Sequence, residues 1–481
     1  MSAVTDEQTV RDVVSEVLAR LGQASPTNGS AAPAASRSVK GRFGVFDNVE
    51  DAVAAANDAQ RQLVTRTLEQ RGQAVQCIRD IVINQADELG RMELAETKIG
   101  RLDHKIEKLV VVGEKVPGME MLCTDAVSGD HGLCVTEHAP FGVIGVITPV
   151  THSVPTLACN AIMMIAGGNT LVCNPHPAGA NCAAEATRRW NRAIAEKIGI
   201  ENLICLIATP TLETAEAIFT HRDVDMLCVT GGPGVAAAAM ASTKKAVVAG
   251  PGNPPAVVDE TADIENAATG IIFGAAYDNN LLCIGEKEVF VVDAVADALL
   301  AAMSRHGGYQ LDAAQTAALA EAAIHQDAKS GHYIPDRKFV GADPTVLGEA
   351  IGVSVPAGTQ VLYAETDERS PFVACEQMMP FVPIVRCRNV DEAIAKAVYY
   401  EHGFGHTAII WSRSVDNMTK MGKAANTTLF IKNGACMTGL GLGGEGFVSY
   451  SIATPTGEGP TSPLTFTRVR RCVMVDNLRI L

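Results

Sequence analysis

The chain has 481 residues, 47% of them hydrophobic, and a formal net charge of −15. That length exceeds what one core normally supports and implies two or more domains, while the acidic balance opposes a general nucleic-acid role; the short basic run RVRRC has the size of a solvated face. No run of about eighteen apolar residues is free of polar interruption, which argues against a membrane span, and the 13 cysteines lack paired CxxC spacing, which argues against a metal site or a secreted disulfide framework.

The opening residues lack the basic start, apolar core and cleavage site of a signal peptide, so a reducing, cytoplasmic setting is expected. Within residues 1–22, TDEQTVRDVVSEVLARLG repeats Val10, Val13, Val14, Val17, Leu18 and Leu21 at helical spacing and predicts a helix with one apolar face. Thr5 and Gln8 have capping-box spacing, and Gly22 follows as a stop. Residues 23–37, rich in Ala, Ser and Pro, read as a flexible linker. A short amphipathic helix tethered in this way needs a partner surface, in its own domain or elsewhere. Its polar face mixes Asp12, Glu16, Arg11 and Arg20 without a cationic excess, which disfavours a membrane surface.

Residues 49 to 110 show long helical periodicity with few breakers and predict a helical layer. Beyond them the period changes. FGVIGVITPV, TLVC, NLICLIA, DMLCVT and KAVVAG are short apolar strands separated by helical segments, a pattern that implies a mostly parallel sheet covered on both faces, with ligands at the carboxyl ends of its strands. A second alternating set runs from Pro255 to about residue 445. VTGGPG sets Gly231 and Gly232 between strand and helix, where backbone amides can approach a pyrophosphate, although such a turn is more often structural. GLGLGGEG, residues 439–446, is either a channel-lining loop or punctuation. His402 and His406 titrate near neutrality and are candidate proton carriers, with a structural role the commoner one for each.

Between AATGIIFGAAY and the strand EVFVV lies DNNLLC. Asp and Asn tolerate unusual dihedrals and bond local backbone, so Cys283 is expected at an element end with amides near its sulfur. Such donors favour a thiolate and can hold an oxyanion on a carbon bonded to it. On composition alone, one cysteine of thirteen is most often a small buried hydrophobe.

This stretch resembles the active-site segment of the aldehyde dehydrogenase superfamily, and most closely the CoA-acylating acetaldehyde and propionaldehyde dehydrogenases of bacterial microcompartments. The resemblance extends over roughly residues 38 to 481 through ETKIGRLDHKIEK, ITPVTHSVPT, NPHPAGA, VTGGPG, AGPGNPPAVVDETAD, DRKFVG, EQMMPFVPIVR, FIKNGACMTGLGLGGEGF and PTGEGPTSPLTFTRVRRC. It implies an α/β fold of aldehyde dehydrogenase type. A Rossmann-type dinucleotide-binding domain would occupy residues 38–120 and 138–254, a catalytic domain 255–445, and a small β oligomerisation element 121–137 and 446–481. It implies Cys283 as nucleophile, NAD and coenzyme A as cofactors, and a homo-oligomer, dimer or tetramer. Cofactor contacts would fall on Thr148, Pro149, Asn174, His176, Thr230, Gly231, Gly232 and Glu376. NPHP stands where hydrolytic relatives carry a ribose-binding lysine, and Glu376 matches the glutamate that reaches the nicotinamide ribose. His152 replaces the asparagine expected to donate near the oxyanion. The first 22 residues resemble encapsulation helices that bind shell proteins, which implies a place inside a microcompartment.

Hydrolytic relatives carry a glutamate in an ELGG-like segment that activates water, whereas the equivalent stretch here is VVAGPGNPP, with no carboxylate between Ala246 and Pro255. Water needs a general base to attack a thioester at useful rates, while a thiol of pKa about 8.5 is already a few per cent ionised at neutral pH. The expected chemistry is therefore oxidation of a short aldehyde to acyl-CoA. Cys283 attacks, backbone donors hold the oxyanion, hydride leaves to the nicotinamide, and CoA takes the acyl group. A hydrolytic semialdehyde dehydrogenase and a non-catalytic cargo protein are the alternatives. Aldehyde chain length and the choice of NAD or NADP stay open.

Overall fold

The computed structural model describes residues 42–328 and 331–476. The helix and linker expected over residues 1–22 and 23–37 lie outside the described residues.

After β1 (Val45–Phe46), helices α1 (Val49–Leu63), α2 (Leu68–Asn84), α3 (Ala86–Thr97) and α4 (Leu102–Lys115) form the expected helical layer. Asn48 caps α1, and a Thr67–Gln70 capping box opens α2. β2 (Asp125–Gly129) and β3 (Gly132–Pro140) lead to β4 (Val143–Thr148), α5 (Ser153–Ala166), β5 (Thr170–Pro175), α6 (Ala180–Ile198), β6 (Ile204–Ile207), α7 (Leu212–Thr220), β7 (Met226–Thr230), α8 (Pro233–Met240) and β8 (Lys245–Ala249). The strands form one parallel sheet in the order β1-β6-β5-β4-β7-β8. Chain order reverses between β4 and β7, the kind of switch point at which open α/β sheets bind ligands. Helix α5 is mostly apolar and buried throughout, with Ser153 and Asn160 hydrogen-bonded inside.

A second parallel sheet, of seven strands, has the order β11-β14-β15-β10-β9-β16-β17. Its strands are β9 (Pro255–Val258), β10 (Glu288–Val292), β11 (Gly308–Gln310), β14 (Val361–Thr366), β15 (Phe381–Cys387), β16 (Thr407–Trp411) and β17 (Leu429–Lys432). The pairs β12 (Ile324–Gln326) with β13 (Tyr333–Pro335), and β18 (Ile452–Ala453) with β19 (Gly459–Pro460), are small antiparallel ribbons. β20 (Thr467–Val475) returns to pair antiparallel with β3, which also pairs with β2. This three-stranded sheet leaves Val127, Val469, Val473 and Val475 exposed.

Helix α9 (Ile264–Ala276) starts at the Asp263 cap and is followed by Asp278, Asn279 and Asn280, with φ of 49°, 55° and 62°. Three successive left-handed residues reverse the chain abruptly, and Asp and Asn are the non-glycine residues that adopt this conformation most readily. Cys283 follows, ahead of β10. Among the described residues no helix is long and apolar enough to cross a membrane, and no group of three or more His, Cys, Asp or Glu could hold a metal ion.

Candidate active site

The turn carrying Cys283 is fixed from three directions. Asp278 accepts from the Arg101 backbone N–H at 2.8 Å and from Lys108 Nζ, and its own N–H donates to His104 Nδ1 at 2.8 Å. Asn279 donates from Nδ2 to the Gly341 carbonyl at 2.9 Å and to Asp343 at 2.8 Å, while its Oδ1 accepts from Arg101 Nε at 2.6 Å. Asn280 donates to the Glu286 carbonyl at 3.1 Å. The strained dihedrals are thus held by bonds from α4, from the 341–343 loop and from the segment entering β10.

Register places the absent-glutamate segment beside this turn. β9 and β10 begin opposite each other, Pro255 against Glu288, and the Lys287 N–H donates to the Pro254 carbonyl at 3.1 Å. A Cβ on Gly252 would lie 2.6 Å from the Cys283 carbonyl oxygen and 3.0 Å from His406 Cγ, so the VVAGPGNPP loop and Cys283 are in direct backbone contact. Glu376 accepts from the Gly252 N–H. Cys283, Gly252, Glu376 and His406 therefore converge.

Cys283 is half-buried, and its thiol does not follow the sequence expectation of a favoured thiolate. Desolvation first, then the Glu376 charge, pushes it up to about 12 against the pull of Lys287 and of its own backbone N–H. Desolvation likewise raises Glu376 to about 7, opposed by Lys287 and the Gly252 amide. The resting site thus holds a protonated thiol beside a carboxyl that titrates near neutrality. His406 is buried, with Nδ1 2.9 Å from Thr407 Oγ1 and Nε2 without a partner among the described residues; burial and then Lys287 lower it to about 4, so the ring is neutral at pH 7. His402 is exposed, and its Nε2 lies 3.1 Å from the Ala374 carbonyl oxygen.

His152 precedes α5, buried, with Nδ1 3.0 Å from Lys108 Nζ. Lys108 donates there and to Asp278, which couples this position to the Cys283 turn. Burial, then Lys108 and Lys105, depress the imidazole well below its usual range; it is neutral, and accepting at Nδ1 leaves its proton on Nε2. Against the desolvation that would raise it, Lys108 and Lys105 hold the Asp278 carboxyl below the usual range.

The other sequence-predicted residues gather at the switch point of the first sheet. Thr148 and Pro149 end β4, Asn174 and His176 end β5, and Thr230, Gly231 and Gly232 end β7; Thr148 pairs in register with Pro175, and Ile147 with Val229. Gly232 caps α8 without a side-chain bond, and a Cβ on Gly232 or Gly234 would meet nothing within 4 Å, so open space stands before the first amides of the helix. That cradle fits a phosphate group. Asn174 accepts from Thr214 Oγ1 at 2.6 Å and donates to the Thr211 carbonyl at 3.2 Å, which commits its amide to the start of α7. His176 is exposed and accepts from the Ala178 N–H at 3.1 Å.

Arg101, Lys108, Asp278 and Lys287 escaped the sequence reading as site residues. Lys108 lies in α4, Asp278 in the turn and Lys287 just ahead of β10, and all three are completely buried.

The profile of the aldehyde dehydrogenase family matches residues 37–443. The chain is 42% identical over 476 residues to acetaldehyde dehydrogenase (acetylating) EutE of Salmonella typhimurium, covering 99% of this chain and 100% of that one. The fold is similar to Rhodopseudomonas palustris propionaldehyde dehydrogenase with bound CoA and an acylated cysteine, with a TM-score of 0.88, 43% identity and coverage of 91% of this chain and 100% of that chain. It is equally similar to the propionaldehyde dehydrogenase of the Clostridium phytofermentans fucose utilisation bacterial microcompartment, with a TM-score of 0.88, 42% identity and coverage of 91% and 100%. A family profile over most of the chain and relatives at this identity over nearly its whole length leave one assignment: the chain belongs to the aldehyde dehydrogenase family.

Proposed function

We propose that this protein oxidises a short-chain aldehyde to its acyl-CoA with reduction of a nicotinamide dinucleotide, and that Cys283 carries the acyl group. The observation that supports it most directly is the contact between the Cys283 backbone and Gly252 in a loop that has no carboxylate. Among the described residues Glu376 is the acid whose charge raises the sulfur's pKa, and it is itself raised to about 7. As the thiol attacks the aldehyde carbon its proton must leave, and Glu376 is suited to receive it. His152, with its proton on Nε2, is a donor suited to assist the Cys283 backbone amide in holding the oxyanion.

Thr148, Pro149, Thr230, Gly231 and Gly232 would hold the dinucleotide at the switch point, with Asn174 and His176 beside them and Glu376 toward the nicotinamide ribose. When bound, that group supplies the hydride acceptor. His406, buried beside Gly252 with Nε2 unpartnered among the described residues, is a hydrogen-bonding group for the incoming CoA thiol; burial keeps it neutral and makes it a weak base.

The exposed strand β20, with Val469, Val473 and Val475 on its surface beside Arg468, Arg470 and Arg471, favours self-association into a homo-oligomer. The relative from a fucose utilisation microcompartment and the amphipathic pattern of residues 1–22 together support encapsulation through a shell protein.

The deciding experiment follows NADH and acyl products with and without CoA. Without CoA the wild type is expected to give one stoichiometric burst and then near silence; CoA restores turnover with acyl-CoA in proportion to NADH. Cys283→Ala abolishes the burst while cofactor binding persists. Sustained release of free carboxylic acid without CoA would overturn the acyl-transfer reading.

A further inference from the structure

Lys287 lies four residues after Cys283, at the entry to β10, in the triplet Glu286–Lys287–Glu288, all of it completely buried. Its neighbours are turned elsewhere: Glu286 Oε1 accepts from the Cys436 N–H at 3.0 Å, and Glu288 Oε1 from Asn253 Nδ2 at 3.3 Å. Lys287 Nζ turns back to the catalytic turn. It donates to the Asn280 carbonyl oxygen at 2.7 Å, to Asn280 Oδ1 at 2.7 Å and to the Leu282 carbonyl oxygen at 3.1 Å. Three acceptors around one nitrogen require three N–H groups; an ammonium has three and a neutral amine two. The hydrogen bonding favours the charged form, against the burial that lowers the ammonium's pKa.

The contrast with the other buried lysines is informative. Lys105 is paired with Glu93 and Lys108 with Asp278, whereas among the described residues Lys287 has no carboxylate in an ion pair. All its protons go to neutral oxygens, so its field is not cancelled at close range, and two of the three oxygens belong to the backbone that leads into Cys283. Around it stand Glu376, Glu286, Glu288, Cys436, His406 and His152, each of which has Lys287 or its immediate surroundings as an electrostatic neighbour. Lys287 also acts to favour the charged form of Cys283, against burial and Glu376.

We propose that Lys287 is a positioning residue of the acyl-transfer site: its ammonium, tied to three oxygens of the turn from Asn280 to Leu282, holds Cys283 in place and stabilises the negative charge that forms on its sulfur. This rests on Cys283 being the nucleophile. It accounts for Asn280, whose side chain binds Lys287 through Oδ1 and the Glu286 carbonyl through Nδ2 and so closes a ring between turn and strand.

The test is the rate of Cys283 alkylation by iodoacetamide, read by peptide mass spectrometry on the full chain from about pH 6 to about pH 10. Lys287→Gln keeps two N–H donors and removes the charge; Asn280→Asp keeps the lysine and sets a carboxylate against it. Circular dichroism and thermal unfolding confirm that each variant is folded, and if Lys287→Gln fails to fold, Asn280→Asp carries the test. Alkylation at pH 8 is expected to fall at least about tenfold in each variant, with the profile displaced upward by about one pH unit or more. A folded variant whose profile overlays that of the wild type would overturn the proposal. Alkylation requires no turnover, so its outcome is distinct from that of Cys283→Ala, which tests the nucleophile itself.

Discussion

A Cβ atom on Gly252 would stand 2.6 Å from the carbonyl oxygen of Cys283. The loop between β8 and β9 is therefore the wall against which the nucleophile's backbone rests, and it tolerates no side chain at that point. Gly252→Ala must displace one or the other, at a cost of about 1–3 kcal/mol by analogy with overpacked cores. The expected result is a kcat reduced at least about tenfold with weaker loss of stability, because a small misplacement at the reacting centre costs rate steeply. Unchanged turnover in a folded variant would show that the contact is not needed to set Cys283.

Burial of Glu286 gives the fold a pH dependence of definite sign. Its Oε1 accepts from the Cys436 N–H, its Oε2 has no partner among the described residues, and desolvation raises its carboxyl to about 7. From about pH 4.5 to about pH 7 the native chain keeps a proton that the unfolded chain has lost, so this group makes stability fall as pH rises through that window. Glu286→Gln removes the effect. The variant is expected to match the wild type below about pH 4.5 and to exceed it by on the order of 2–3 kcal/mol above pH 7, measured by denaturant unfolding across the range. A difference independent of pH would refute the assignment.

The two parallel sheets were legible because strands buried on both faces read as continuous apolar runs: VIGVIT, LVC and EVFVV each became a strand. Cys283 was legible as the end of an Asp-Asn turn, and the turn indeed consists of three left-handed residues. What holds that turn was not legible. Arg101 and Lys108 lie 170 or more positions away, at the cap and within a helix that the sequence places only in a helical layer, and the tertiary fold brings them to Asp278 and Asn279. The thiol's upward shift was missed for a related reason. Sequence shows which donors stand nearby, but desolvation depends on everything packed around the sulfur, including Glu376 from a segment 93 residues downstream. Asn174 matched a family position, yet its amide bonds Thr211 and Thr214, a commitment set by the tertiary fold.

Encapsulation through residues 1–22 makes a separable prediction. If that segment serves only to bind a shell protein, its deletion leaves kcat and the unfolding midpoint unchanged and abolishes co-assembly with the shell protein in a pull-down from the expressing cell. Retained co-assembly, or a collapse in stability on deletion, would count against it.

His152 tests whether the coupling between α4 and the catalytic turn serves chemistry or packing. Lys108 holds both His152 Nδ1, at 3.0 Å, and the Asp278 carboxylate, so one buried ammonium fixes the imidazole's tautomer and the turn that presents Cys283. With Nδ1 occupied, the neutral ring has one proton left, on Nε2, and therefore one hydrogen bond to give. An asparagine at this position would also have one amide group to donate, so His152→Asn is expected to keep most of the activity. His152→Ala removes the donor and is expected to lower kcat more than about threefold, while KM for the aldehyde changes little, because an oxyanion contact is made mainly in the transition state. The imidazole is held neutral well below its usual range, so its loss should leave the pH–rate profile above pH 6 unchanged in shape. A reduction smaller than threefold would assign His152 to packing alone and leave the backbone amide of Cys283 as the oxyanion donor.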